Sequence, residues 1–252
     1  MRICVFGAGA VGGHFAAQLA ASGHEVSVIA RGAHLEAIRR NGLTLLKGAQ
    51  RIVGRVRAAE EPREIGPVDY VLVTLKATGL AVLADRVGPL LGKDTAVVFA
   101  QNGIPWWYAQ GLSAARPRTP DLGLLDPGGK LARAIAPERV IGSVIYSANE
   151  VVAPGVVQNN APQRNVLVLG EPDDRPSARV QRLAAALEKS SIDAPVETDI
   201  RRSIWAKLVI NLASSSIGVA TEGTVKQRWV KRPPARIRNH TRRGRRRKTP
   251  AP

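Results

Sequence analysis

The chain has 252 residues, 44% hydrophobic and 23% charged, with a formal net charge of +17. That length can bury a core without staples, and the lone cysteine, Cys4, excludes a disulfide framework and suits a reducing cytoplasm. No uncharged apolar run reaches the ~20 residues that span a bilayer and no basic leader precedes the first apolar stretch, so a soluble protein without a membrane partner is expected.

In chain order, residues 3–6 form a short apolar run that breaks at Gly7, Gly9 and Gly12 and resumes as Ala16, Ala17, Leu19 and Ala20. This is a strand, a tight turn and a helix start, the setting in which G-x-G-x-x-G marks a dinucleotide site. Gly7 permits the turn, Gly9 lets the backbone approach a pyrophosphate, and Gly12 lets helix and strand pack closely. The amino end of the helix then offers N–H groups and a positive dipole to the phosphates. Residues 25–30 read as a second parallel strand ending at Arg31. An acidic residue there would select NAD through the ribose hydroxyl; a guanidinium pairs instead with a 2′-phosphate, so NADP is favoured, unless Arg31 is a solvated loop residue.

Residues 33–40 read as a helix, 43–46 and 52–56 as a short hairpin, and 69–75 as a buried parallel strand. A helix over 80–91 ending before Gly92 and a strand over 95–100 follow, and 111–137 read mostly as loop. Residues 140–152 and 156–169, joined around Pro154-Gly155, read as two long antiparallel strands. Helices are expected over 177–189 and from 200 to about 220. Alternation of strand and helix implies parallel pairing, hence an α/β protein with a Rossmann-type doubly wound sheet.

Beyond residue 225 the pattern changes. Residues 226–252 hold 12 of the 37 Lys and Arg and no acid, leaving 25 basic against 20 acidic residues (+5) before them. A run such as Arg242-Arg243-Gly244-Arg245-Arg246-Arg247-Lys248 amid prolines cannot bury apolar surface, so a disordered tail is expected. It would bind polyanions in a salt-sensitive way; with no aromatic platform beside it, no specific nucleic-acid partner is expected.

Three places could carry chemistry; no cluster reads as a metal site. Lys76 ends the strand at 69–75, and Asn102 follows the strand at 95–100, where open α/β sheets bind ligands; a surface lysine and a turn asparagine are the plain alternatives. Within the helix beginning near 200, Lys207, Asn211 and Ser215 recur every four residues as a polar stripe beside Ile204, Leu208 and Leu212. The stripe suits either a solvated face or a buried site for a carbonyl.

Taken together, Gly7-Ala-Gly-Ala-Val-Gly-Gly, Thr74-Leu-Lys-Ala, Gln101-Asn-Gly-Ile and Trp205-Ala-Lys-Leu-Val-Ile-Asn resemble the ketopantoate reductase family over roughly residues 1–222. The resemblance implies a Rossmann domain (1–195) and the first part of a helical substrate domain (196–225), with 226–252 as the basic tail. It implies NADPH as cofactor and a small 2-oxo acid, 2-dehydropantoate, as substrate. Gly7, Gly9, Gly12 and Arg31 would then hold the coenzyme, Lys76 and Asn102 would border the nicotinamide and its ribose, Lys207 would be the general acid, and Asn211 and Ser215 would hold substrate.

Two departures follow from the same comparison. Ser215 stands where the family commonly has asparagine before proline, and no acid after Glu222 can supply the family's distal glutamate. A truncated or aberrant carboxyl end, an incomplete helical domain and impaired turnover are therefore expected. A reductase of another branched 2-oxo acid and a non-catalytic NADP-binding module stay open, as does a homodimer formed through the helical domain.

Overall fold

The computed structural model describes residues 1–112 and 121–221; the basic tail lies outside them. The chain divides into two units, Met1–Val209 and Ile210–Pro252. The first opens with β1 (Arg2–Phe6), α1 (Ala10–Ala21), β2 (Glu25–Ile29) and α2 (Gly32–Asn41), as the apolar pattern predicts. Then come β3 (Leu43–Lys47), β4 (Gln50–Gly54), β5 (Arg57–Ala59), β6 (Val68–Val73), α3 (Leu80–Arg86) and β7 (Leu91–Phe99). The remainder is α4 (Lys130–Ala134), β8 (Val140–Tyr146), β9 (Asn149–Ala153), β10 (Val156–Asn159), β11 (Val166–Gly170), α5 (Ala178–Lys189) and α6 (Ile200–Thr221).

Seven strands form one sheet in the order β11-β8-β7-β6-β1-β2-β5. All neighbours in it are parallel except β8 and β11. From β1 the chain runs outward through β2 and β5, then returns to the other side of β1 as β6, β7 and β8. That reversal is the topological switch point of a Rossmann-type sheet, so the turns after β1, β6 and β7 share one edge where ligands bind. Near-continuous apolar strands such as Ile3–Phe6 and Val71–Val73 are buried because both faces of the sheet are covered.

One face is covered by α1, which lies beneath the smaller sheet β4-β3-β10-β9. Buried between two sheets, α1 has no polar stripe: residues from Gly12 to Leu19 are all buried. Close approach explains its small residues. A Cβ on Gly13 would stand 2.7 Å from Val157 Cγ2, and one on Gly54 2.7 Å from the Ala17 Cα. The opposite face packs Cys4, Phe6, Val71 and Phe99 against Leu83, Leu131, Trp107 and Ile200. Cys4 is a small core hydrophobe, its thiol pushed up to about 12 by burial.

Three expectations are corrected. The pair expected at 140–152 and 156–169 is not one long hairpin: β8 pairs β11 in the large sheet, and β9 pairs β10 in the small one. Only residues 147 and 148 separate β8 from β9, whereas 160–165, with Pro162 among them, separate β10 from β11. This unequal length pulls the ladders apart, and proline cannot donate to one. Side chains satisfy the break: Asn159 Nδ2 donates to Asn149 Oδ1 (2.6 Å) and Asn165 Oδ1 (2.8 Å), and Ser147 Oγ to Asn165 Oδ1 (2.8 Å). The helix expected to reach residue 91 stops at Arg86, because Pro89 lacks an N–H and disfavours helix before it, and β7 begins at Leu91. Within the stretch expected to be mostly loop, Lys130–Ala134 is helical, the N–H groups of Leu131 and Ala132 donating to the Asp126 carboxylate (2.8 and 3.0 Å).

The asparagine cluster reaches α1 through His14, which is fully buried and lies 2.9 Å from Asn149 Oδ1 through Nδ1. Burial lowers its pKa from 6.5 to about 4, the Asn149 contact opposing and Lys47 assisting. A depressed native pKa gives stability that is complete above the unfolded pKa and lost as pH falls through the native one. Unfolding free energy should therefore fall by about 3 kcal/mol between pH 7 and pH 4 through this group alone. Urea titrations of the protein and of His14→Gln across that range check it: the variant should lack this part of the acid lability. Among the described residues no helix is long and apolar enough to cross a membrane.

Candidate active site

The turn after β1 is shaped by its glycines. Gly7 has φ +104°, a conformation glycine adopts at little cost. Gly12 packs so tightly under the turn that a Cβ would stand 2.1 Å from the Gly7 carbonyl oxygen and 2.4 Å from Thr74 Oγ1. Thr74, the residue after β6, donates its hydroxyl to that same Gly7 oxygen at 2.6 Å. Gly9 differs: it is the N-cap of α1, no side chain caps the helix, and a Cβ there would meet nothing within 4 Å. The helix's amino end thus faces open space with its N–H groups and positive dipole, which fits a pyrophosphate.

That open space is a groove of about 600 Å³, lined by Gly7, Gly9, Arg31, His34, Glu60 and Arg86 among others. Arg31, exposed at the N-cap of α2, brings a cation to its rim. Sequence reading missed His34. Its Nε2 lies 2.7 Å from the Ala8 carbonyl oxygen, and its Nδ1 accepts the Gly155 N–H at 3.0 Å. The ring therefore ties the glycine turn to the β9–β10 turn, and its Nε2 carries the proton. Arg86, which also lines the groove, is paired with Glu61 at 3.1 Å.

A second cavity, about 280 Å³, is lined by Ala77, Thr78, Phe99, Asn102, Trp106, Ser143 and Ile204 among others. Thr78 lines both spaces, so the turn following Lys76 separates them. Lys76 is exposed at the N-cap of that turn and lines neither cavity; Asn102, also exposed, lines the second. Gln101 steadies the wall by donating Nε2 to the Leu75 carbonyl oxygen at 2.8 Å.

On α6, Ile204 is the buried residue that closes the second cavity, and Lys207 follows one turn later on the same face. Lys207 Nζ sits 4.0 Å from the centroid of the Tyr146 ring. Its pKa is lowered from the ordinary lysine value, first by burial and then by repulsion from Arg164. The start of α6 is pinned by Arg201, 1% exposed, whose guanidinium donates to the carbonyls of Tyr108 (2.9 Å), Pro172 (2.6 Å) and Gln110 (2.5 Å). Asn211 is partly buried in the second unit, and the side chain of Ser215 lies outside the described residues. Trp205 and Val209, at 45% and 61% exposure, leave part of the helix surface apolar.

Sequence motifs thus reach the glycine turn, Arg31, Thr74, Asn102 and Lys207, but not His34, Tyr146 or Arg201, whose roles come from contacts distant in the chain. A family model described as ketopantoate reductase PanE/ApbA matches residues 3–173. A 2-dehydropantoate 2-reductase of Mesorhizobium japonicum is 46% identical over 226 residues, 89% of this chain and 68% of that protein. One from Pyrococcus abyssi is 27% identical over 222 residues, 88% of this chain and 65% of its own length. A solved structure from Ralstonia solanacearum MolK2, described provisionally as a ketopantoate reductase, shares 35% identity with a TM-score of 0.81, covering 88% of this chain and 68% of that one. The chain spans about two thirds of the length of these relatives.

Proposed function

The chain belongs to the ketopantoate reductase family, and from that premise we propose that it is an oxidoreductase reducing a small 2-oxo acid, 2-dehydropantoate, with NADPH. The observation that carries the proposal is Lys207, a partly desolvated ammonium one turn beyond the wall of a cavity that adjoins the glycine-turn groove. Residues 1–195 are taken as the coenzyme-binding part and 196–225 as the start of the substrate-binding part.

In this reading Gly7, Gly9 and Gly12 hold the pyrophosphate against the amino end of α1, and Arg31 neutralises a 2′-phosphate. Lys76 and Asn102 border the nicotinamide and its ribose. When bound, the reduced nicotinamide supplies the hydride. Lys207 meets the charge that develops on the substrate's carbonyl oxygen and gives that oxygen its proton, leaving a neutral amine that is reprotonated from water. A lysine pKa brought down toward the working pH improves such proton transfer. Asn211 and Ser215 are carried as substrate-holding residues on sequence grounds alone.

The test is NADPH oxidation followed by absorbance with and without 2-dehydropantoate; oxidation that depends on the oxo acid supports the reading, and its absence from a protein that binds NADPH opposes it. Arg31 makes a separate prediction. Arg31→Ala should cost NADPH about 1.5–3 kcal/mol of affinity, the worth of a charge-assisted bond to phosphate, and leave NADH unchanged. Parallel calorimetric titrations check it.

A further inference from the structure

Resting on the reading of Lys207 as proton donor, we propose that Arg164 binds the carboxylate of the 2-oxo acid, with the Tyr146 ring as the platform that sets both cations. Arg164 lies in the connection between β10 and β11, and its Cζ is 4.9 Å from the Tyr146 ring centroid. Lys207 Nζ lies 4.0 Å from the same centroid. One aromatic ring therefore carries an ammonium from α6 and a guanidinium from the connection just before β11, whose Val166 pairs with Tyr146. Tyr146 is the last residue of β8, where the large sheet ends and the asparagine-bridged break begins.

The loop that presents Arg164 is built, not loose. Asn165, 5% exposed, donates Nδ2 to the carbonyls of Pro162 (3.1 Å) and Ala161 (3.3 Å), and the Arg164 N–H donates to Ala161 at 2.9 Å. These bonds fix the backbone from which the guanidinium extends, so little ordering is left for a ligand to impose. No carboxylate among the described residues pairs with Lys207 or Arg164. Two cations on one ring repel each other, and the pKa of Lys207 is lowered first by burial and then by that repulsion from Arg164.

The arrangement is complementary to an anion whose charge sits next to a polar group that needs a proton. A 2-oxo acid has that form: a carboxylate joined directly to the carbonyl. A guanidinium resting 4.9 Å from the ring centroid has several N–H groups to offer a carboxylate in bidentate contact, which an ammonium cannot match. Lys207 is then kept for the carbonyl oxygen. Tyr146 is a positioning residue; its ring, not its hydroxyl, does the positioning.

The experiment uses the full chain and two readouts. Calorimetry with saturating NADP⁺ measures binding of 2-dehydropantoate and of its uncharged methyl ester to the protein, Arg164→Gln, Arg164→Lys, Tyr146→Phe and Tyr146→Leu. Competitive acetylation read by mass spectrometry measures the titration midpoint of Lys207. Arg164→Gln should weaken the acid on the order of tenfold to a hundredfold, leave the ester and NADPH unchanged, and raise the Lys207 midpoint. Arg164→Lys should restore the midpoint but only part of the affinity; Tyr146→Phe should match the unaltered protein, and Tyr146→Leu should weaken the acid. Equal acid affinity in Arg164→Gln and the unaltered protein overturns the proposal while sparing the reductase reading. A folded protein that binds NADPH but neither oxo acid nor ester overturns both.

Discussion

Replacing Lys207 by alanine is expected to lower 2-oxo acid reduction by about 10²–10⁴-fold, the usual worth of a positioned general acid, while NADPH affinity stays as it was. The two effects separate because the groove that would hold the coenzyme is made by Gly7, Gly9 and Arg31, whereas Lys207 comes from α6 and contacts Tyr146. The loss should fall on kcat and kcat/KM alike, since the interaction strengthens as charge reaches the carbonyl oxygen. A pH profile adds a signed check. A general acid works protonated, so the rate should fall as pH rises through the pKa of Lys207, and burial with Arg164 places that limb below the ordinary lysine range. Steady-state rates across the alkaline range measure it, and the limb should vanish from the residual activity of Lys207→Ala.

Arg201→Ala is expected to destabilise the fold by about 3–5 kcal/mol, the cost of breaking a buried charged network by removing one partner. The guanidinium is 1% exposed and holds three backbone carbonyls from two loops, those of Tyr108, Gln110 and Pro172. It also lies 3.6 Å from Asp174 and over the rings of Trp107 and Tyr108. Without it the buried Pro172 carbonyl and the partly buried carbonyls of Tyr108 and Gln110 lose their partner, a penalty that is largest for Pro172. Lysine should not rescue, because a single ammonium cannot span the positions that the planar fork reaches. Urea unfolding of Arg201→Ala and Arg201→Lys tests this. The consequence for the site is direct: Ile204, which closes the second cavity, and Lys207 both follow within two turns of this anchor.

These two residues mark what the sequence could and could not disclose. Lys207 was legible because it recurs with Asn211 at helical spacing and sits in a run resembling a known family. Arg201 was not: in the pair Arg201-Arg202 nothing local distinguishes the buried guanidinium from its exposed neighbour. The glycine turn, β2 and Arg31 were legible because each glycine answers a local steric demand, a positive φ at Gly7 and a filled space behind Gly12. The hairpin β3–β4 was legible as well, although its second strand lies at Gln50–Gly54 and not at 52–56. By contrast, the split of residues 140–169 between two sheets depends on side-chain bonds among Ser147, Asn149, Asn159 and Asn165 that bridge a length mismatch. Period-2 patterning runs straight through such a break. Tyr146 and Arg164 were hidden for a related reason: they meet where the β8–β11 ladder ends, Val166 opposite Tyr146, and Lys207 reaches the same ring from α6, far off in the chain.

The coenzyme groove underlies everything proposed for this chain, and calorimetric titration of the folded protein with NADPH, then NADH, tests it most directly. Saturable single-site binding with NADPH held more tightly is the expected result. Absence of binding heat for both coenzymes, on material shown to be folded, would contradict it.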